Sequence, residues 1–294
     1  MSTSVALRRS AAEGLGTLLL VATVVGSGIM AERLAGGNVA LALLCNSLAT
    51  GLGLATFILA LAPLTGAHFN PAVTLAVAAH GGLPWPEVPL YIVGQLGGAF
   101  AGVATAHAMF EMPLFIASDH ARHGGGQLLG EFVATFGLVF LILACAKYRS
   151  IPVTAAAVGA YIASAYWFTS STSFANPAVT LARAASDTFA GIRFADVLPF
   201  VGAQLLGAFA GAVALRLLRF GAASSRSNAT PFAGVSWGLG CSCCEGQERS
   251  FGALPIGQRG LQRGLNHPQE KFIDLAREKE ALALEPPVQD QDEG

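Results

Sequence analysis

Six stretches of this chain, at about 15–31, 39–63, 88–110, 128–146, 153–169 and 195–218, are apolar over lengths near the roughly 17–25 residues that cross a bilayer as helix. No other feature limits the fold so severely, because backbone placed in hydrocarbon must pair its own polar groups. A soluble helical protein would keep one polar face per helix, and these segments hardly do. Charged residues are only 12% of the 294, against roughly 25% in ordinary soluble domains. So few charges cannot cover a soluble surface, and the expected class is an all-α, polytopic membrane protein.

Arg8 and Arg9 ahead of the first stretch have the look of a signal peptide. Five further spans follow, and Glu13 lies inside the first, so that segment is expected to stay as a helix. A formal net charge of −1 implies no nucleic-acid partner and no polybasic lipid contact. Basic residues fall before span 1 (Arg8, Arg9), between spans 4 and 5 (Lys147, Arg149) and at the end of span 6 (Arg216, Arg219). With six spans these places share one side, which the positive-inside rule makes cytoplasmic. Both termini are therefore expected on the cytoplasmic side.

The heptapeptide Asn-Pro-Ala-Val-Thr-Leu-Ala stands at 70–76 and again at 176–182. Further matches surround it. "GQLGGAFAG" at 94–102 corresponds to "AQLLGAFAG" at 203–211, setting Gln95 opposite Gln204, and Glu13 corresponds to Glu131. Each half, about 11–110 and 127–219, reads as helix, helix, short re-entrant segment, helix. Three spans is an odd number, so the second half must sit inverted relative to the first. Inverted repeats place their solute site at the midplane, where broken helices meet. Gly98 and Gly102, like Gly207 and Gly211, have the spacing that brings two helix backbones close.

Asn-Pro-Ala is a helix start. Asn is a strong N-cap, and Pro is best tolerated at the first helical position, where no amide proton is needed. Asn70 and Asn176 should each accept a backbone N–H with the side-chain carbonyl and leave the NH2 free to donate outward. The following "VTLA" is too short to cross the membrane. Two half-helices entering from opposite faces would meet at their N-termini midway. Their dipoles repel cations there, while a neutral solute finds two amide donors.

"HFNPAVTLA" and "FANPAVTLA", six spans, and the Glu13/Glu131 and Gln95/Gln204 symmetry resemble the major intrinsic protein family, the aquaporins and aquaglyceroporins, over roughly 11–219. The resemblance implies six helices and two half-helices around one pore per subunit, four subunits per assembly, passive transport and no cofactor. The pore motifs are then Asn70, Pro71 and Ala72 with Asn176, Pro177 and Ala178. Glu13 and Glu131 would support the re-entrant loops, and His68 would lie near the inner constriction.

One departure stands out. Most members of the family carry arginine directly after the second Asn-Pro-Ala, whereas this chain has Val179. Counting without gaps, the other filter positions fall on Thr50, Ser164 and Ser173. A slip of one residue would exchange Ser164 for Ala163 or Ala165. An aromatic, a histidine and an arginine would thus become Thr, Ser and Val, giving a wide, mildly polar constriction. Arg183, one helical turn beyond Val179, either reaches back toward the pore or lies at the outer mouth, exposed or paired with Asp187. The bacterial branch linked to arsenic resistance resembles this chain in "NPAVT" twice and "AYWFTSSTSFANPAVT". It implies a bacterial inner-membrane location and small neutral solutes as permeants, trivalent metalloid hydroxides first, with glycerol, urea and water.

From residue 221 onward the composition turns polar, and 221–294 is expected to be a disordered cytoplasmic tail with one short helix at 268–285. Cys241, Cys243 and Cys244 lie there as weak candidates for a thiol metal site, and Cys243-x5-Arg249 has the spacing of a phosphatase or arsenate-reductase loop. Such a loop needs a larger domain around it, so no enzyme is expected. Cys45 and Cys145, within spans, read as small core residues. A secondary transporter would need ionisable groups beside its substrate, and Glu13 and Glu131 look structural instead.

Overall fold

The computed structural model describes residues 3–223. The tail cysteines 241, 243 and 244, the helix expected at 268–285 and the disorder expected from 224 on all lie outside the described residues, while at 221–223 the expected disorder is corrected, because the last helix continues to Ala223. Among those described, eight α-helices form and no strand: α1 (Thr3–Leu34), α2 (Val39–Thr65), α3 (Pro71–Ala79), α4 (Val88–Met109), α5 (Gly125–Tyr148), α6 (Ile151–Phe168), α7 (Pro177–Arg183) and α8 (Phe194–Ala223). Six are long and apolar enough to cross a membrane. The other two, α3 and α7, have nine and seven residues. At 1.5 Å per residue they reach about 14 and 10 Å, well short of a hydrocarbon core of about 30 Å. The order long, long, short, long occurs twice, as the repeat requires.

Within each half the first and last long helices pack together: α1 on α4, and α5 on α8. The glycine pairs explain how closely. A Cβ added to Gly98 would run into the Gly14 carbonyl, and one on Gly102 into the Leu18 carbonyl. In the second half, Gly207 and Gly211 meet the Phe132 and Phe136 carbonyls in the same way. Close backbone approach of this kind lets dispersion contacts hold helices together where lipid removes the hydrophobic drive. The halves join through α2 and α6, where Gly51 and Gly159 each face the other's carbonyl. Cys145 is buried in this core, but Cys45 is exposed. It sits among Leu41, Leu44 and Leu48 on the outward face of α2, so for Cys45 the core assignment is corrected.

Candidate functional site

The re-entrant loops end in αL backbone at matching places, Ala67 and Phe69 in the first and Ser173 and Ala175 in the second. Each then enters its half-helix through an extended asparagine, with φ −155° at Asn70 and −157° at Asn176. Asn70 Oδ1 accepts from the Ala72 N–H at 2.9 Å and from Val73 at 3.5 Å. Asn176 Oδ1 does the same for Ala178 at 3.0 Å and Val179 at 3.3 Å. Each amide also crosses to the other half. Asn70 Nδ2 donates to the Ala175 carbonyl at 2.7 Å, and Asn176 Nδ2 to the Phe69 carbonyl at 2.8 Å. The side-chain NH2 groups are therefore not wholly free: one N–H of each ties the loops together, and one remains.

Two carboxylates hold the loops from behind, both wholly buried. Glu13 accepts from the backbone N–H of His68 at 3.0 Å and of Phe69 at 2.7 Å, and Glu131 from Phe174 at 2.8 Å and Ala175 at 2.9 Å. Gln95 donates to Glu13 and to Thr74, and Gln204 to Glu131 and to Thr180. Thr74 and Thr180 in turn donate to the carbonyls of Asn70 and Asn176. Irregular backbone at this depth needs such partners, because an unpaired buried N–H costs about 1–3 kcal/mol.

A narrow passage of about 60 Å³ runs past both asparagines. Its wall is largely apolar, with Leu20, Val24, Leu54, Ile58, Val158 and Ile162, and both Val73 and Val179 face it. On one side it meets a vestibule of about 490 Å³ that shares His68, Ile58 and Ile142 with it and is bordered by Arg9 and Arg149. On the other side Arg183 is common to the passage and to a mouth of about 190 Å³. Near that end the polar groups gather. The Tyr166 hydroxyl donates to Thr50 Oγ1 at 3.2 Å, and Ser173 Oγ, though buried, has no partner among the described residues.

Arg183 is buried and lies over the Phe174 ring, 3.4 Å from its centroid, with Nε donating to the Ala190 carbonyl. A second guanidinium shares that ring: Arg122, from the segment between α4 and α5, stands 4.9 Å from the same centroid. Arg122 donates to the carbonyls of Gly191, Ser171 and Phe189 and to the Thr172 hydroxyl. Burial pulls its pKa down to about 10, which leaves it charged at neutral pH.

The family model described as major intrinsic protein matches residues 1–165, more than half of the chain. The chain belongs to the major intrinsic protein family. Among its relatives, aquaglyceroporin AqpS of Rhizobium meliloti (strain 1021) is 51% identical over 211 residues, covering 72% of this chain and 90% of that protein. Aquaporin NIP1-3 of Oryza sativa subsp. japonica is 34% identical over 215 residues, 71% of this chain and 73% of that one. In fold it resembles the solved aquaglyceroporin of Plasmodium falciparum, at a TM-score of 0.56 and 23% identity, over 72% of this chain and 95% of that one. It is thus a multi-pass membrane protein of a channel family that passes small neutral solutes.

Within this major intrinsic protein frame, Thr50, Ser173 and Val179 border the passage, but Ser164 does not. Ser164 is exposed on α6, its hydroxyl donating to the Tyr161 carbonyl at 2.7 Å. Val158, Ile162 and Tyr166, four residues apart, form the pore face of that helix. A gapless count back from Asn176 fails because α6 ends at Phe168 and non-helical backbone follows to 176. The constriction is consequently less bare than expected, since Tyr166, Phe174 and Arg183 supply the ring and charge. Arg183 neither lies exposed nor pairs with Asp187, whose carboxylate instead accepts from Ser118 and the Asp119 N–H. Phe174 was findable as the repeat partner of His68. For Arg122 the chain carries no local signal.

Proposed function

We propose that the chain is a passive channel of aquaglyceroporin type for small neutral polyhydroxy solutes, with trivalent metalloid hydroxides among its permeants beside glycerol, urea and water. The observation that carries this reading is the division of the passage wall. Hydrocarbon lines most of it, while polar side chains gather at the asparagine pair, at the Thr50, Tyr166, Ser173 and Arg183 end, and at His68 on the vestibule side. A solute with hydroxyls on one side and little to solvate on the other loses water there at low cost. Val179 leaves the half-helix flank slim where a longer side chain would fill the bore, favouring solutes wider than water. Arg183 and Val179 together keep a donor at the rim without blocking it. The name of the 51%-identical relative points the same way.

Glu13 and Glu131 are engaged by loop N–H groups and glutamines, which favours a passive pore over an ion-coupled transporter. Arg9 and Arg149 border the same vestibule, and by the positive-inside rule that vestibule is cytoplasmic. The pore is complete within 1–220, so a chain ending there should conduct as the full one does. A liposome swelling series with water, glycerol, urea and arsenite tests the proposal. Fluxes of the three larger solutes should exceed those of empty vesicles and resist an uncoupler. Water flux alone would reduce the chain to a water pore.

A further inference from the structure

Two guanidiniums line the mouth on the Arg183 side, and neither meets a carboxylate. Arg183 is 2% exposed and Arg122 7%, and among the described residues neither forms an ion pair. Arg122 has only neutral acceptors, two of them 3.4 Å from Nη1. Arg183 uses one of its donors on the Ala190 carbonyl and presents the rest of its fork to the passage and the mouth. Three neighbouring carboxylates are committed elsewhere, and a fourth, Glu32, whose charge reaches His120, is exposed on α1. Glu131 is taken by the loop and Gln204, Asp196 by Arg193 and the Arg122 backbone N–H, and Asp187 by Ser118 and Asp119.

A buried cation without a counter-charge is costly, and the ring of Phe174 offsets only part of that cost. Both cations border one cavity of about 190 Å³, together with His120, Thr172 and Asn46. The rest of its wall is Val39, Leu43 and Phe189. The open edge of the Arg183 fork and the one Nη2 N–H that Arg122 has left after its four acceptors match the oxygens of an oxyanion better than a spherical halide. The apolar wall disfavours a bulky or multiply charged ion, which would surrender more hydration.

We propose that this mouth binds a small monovalent oxyanion between Arg122 and Arg183, and that the bound anion obstructs neutral solutes. The binding half stands independently of the permeants proposed above; the obstruction half rests on them.

The probe is nitrate, exchanged for chloride at constant ionic strength. With the purified full chain in detergent, nitrate should raise the melting temperature saturably and beyond chloride, as a ligand of the folded state does. Arg122→Gln should need about tenfold more nitrate for the same rise, the loss of one charge-assisted contact. Because Arg122 also ties loop carbonyls, a second variant leaves it in place. Val39→Glu, at an exposed site on the cavity rim, supplies a built-in carboxylate and should suppress the nitrate response equally. In liposomes nitrate should slow glycerol flux over the same concentration range. Equal effects of nitrate and chloride, or a response surviving in Val39→Glu, would overturn the site. Binding that leaves glycerol flux unchanged would overturn the obstruction.

Discussion

Aligned on their re-entrant loops, the two halves bring Asn70 onto Asn176, Thr74 onto Thr180, Glu13 onto Glu131 and Gln95 onto Gln204, each in the same hydrogen bond. Even the rings beside the loops correspond: His68 lies 5.3 Å from Tyr91, and Phe174 5.4 Å from Phe200. Where side chains face the solute path the halves part company. His68 stands where the second half has Phe174, Ala67 where it has Ser173, and Val77 where it has Arg183. The lesson is physical. Buried loop N–H groups demand the same partners in either orientation, whereas the groups at each mouth answer to what passes. One frame is therefore kept twice, and two different mouths are mounted on it.

The largest expected effect strikes the shared frame. Glu13→Leu and Glu131→Leu each strand two buried loop N–H groups, at about 1–3 kcal/mol apiece. Both should sharply lower the melting temperature or the yield of assembled protein, and by similar amounts. Tolerance of one but not the other would break the equivalence of the halves.

Next come the asparagines. Asn70→Leu and Asn176→Leu each remove a cap, about 0.5–2 kcal/mol, along with a cross-half bond and a central donor. Either should abolish solute flux in folded, membrane-inserted protein. A variant conducting at the parent's rate would end the case for a paired central site.

The mouths should separate under Val179→Arg. A long cation beside Thr50 and Ser173 would narrow the Arg183 end, and each 1.4 kcal/mol of added barrier is about tenfold in rate. Arsenite and glycerol fluxes should fall much more than water flux. Equal proportional losses would point to misfolding or to a filter elsewhere. Arg183→Ala sharpens the contrast, for it should alter the glycerol-to-water ratio while Val77→Ala at the matching place leaves it unchanged.

The smallest effect concerns acid. Burial, then Arg122 and Arg183, holds the His120 imidazole below its ordinary 6.5. A histidine with a lowered folded-state pKa contributes stability that is full above 6.5 and declines as pH falls from 6.5 through the folded value. The melting temperature should therefore drop slightly more between pH 7.5 and 5.5 in the parent than in His120→Gln. An identical drop in both would remove His120 from the charge balance of that mouth.

The chain's own order disclosed the six spans, the two half-helices and the carboxylate and glutamine supports, because each rests on a local cue or on repetition. Hydrocarbon length sets a span, Asn before Pro sets a helix start, and a copied segment copies its partners. Ser164 was misplaced because the count from Asn176 crosses the longer non-helical stretch, 169–175, and loses helical phase there, while the count from Asn70 crosses only 66–69 and reaches Thr50, which does face the passage. Only the tertiary structure decided that Tyr166 takes the rim, that Arg183 turns inward over Phe174, and that Arg122 joins it. Those outcomes depend on where side chains from segments distant in sequence find buried space and acceptors, and neither periodicity nor spacing encodes the loop carbonyls that hold Arg122 beside the ring.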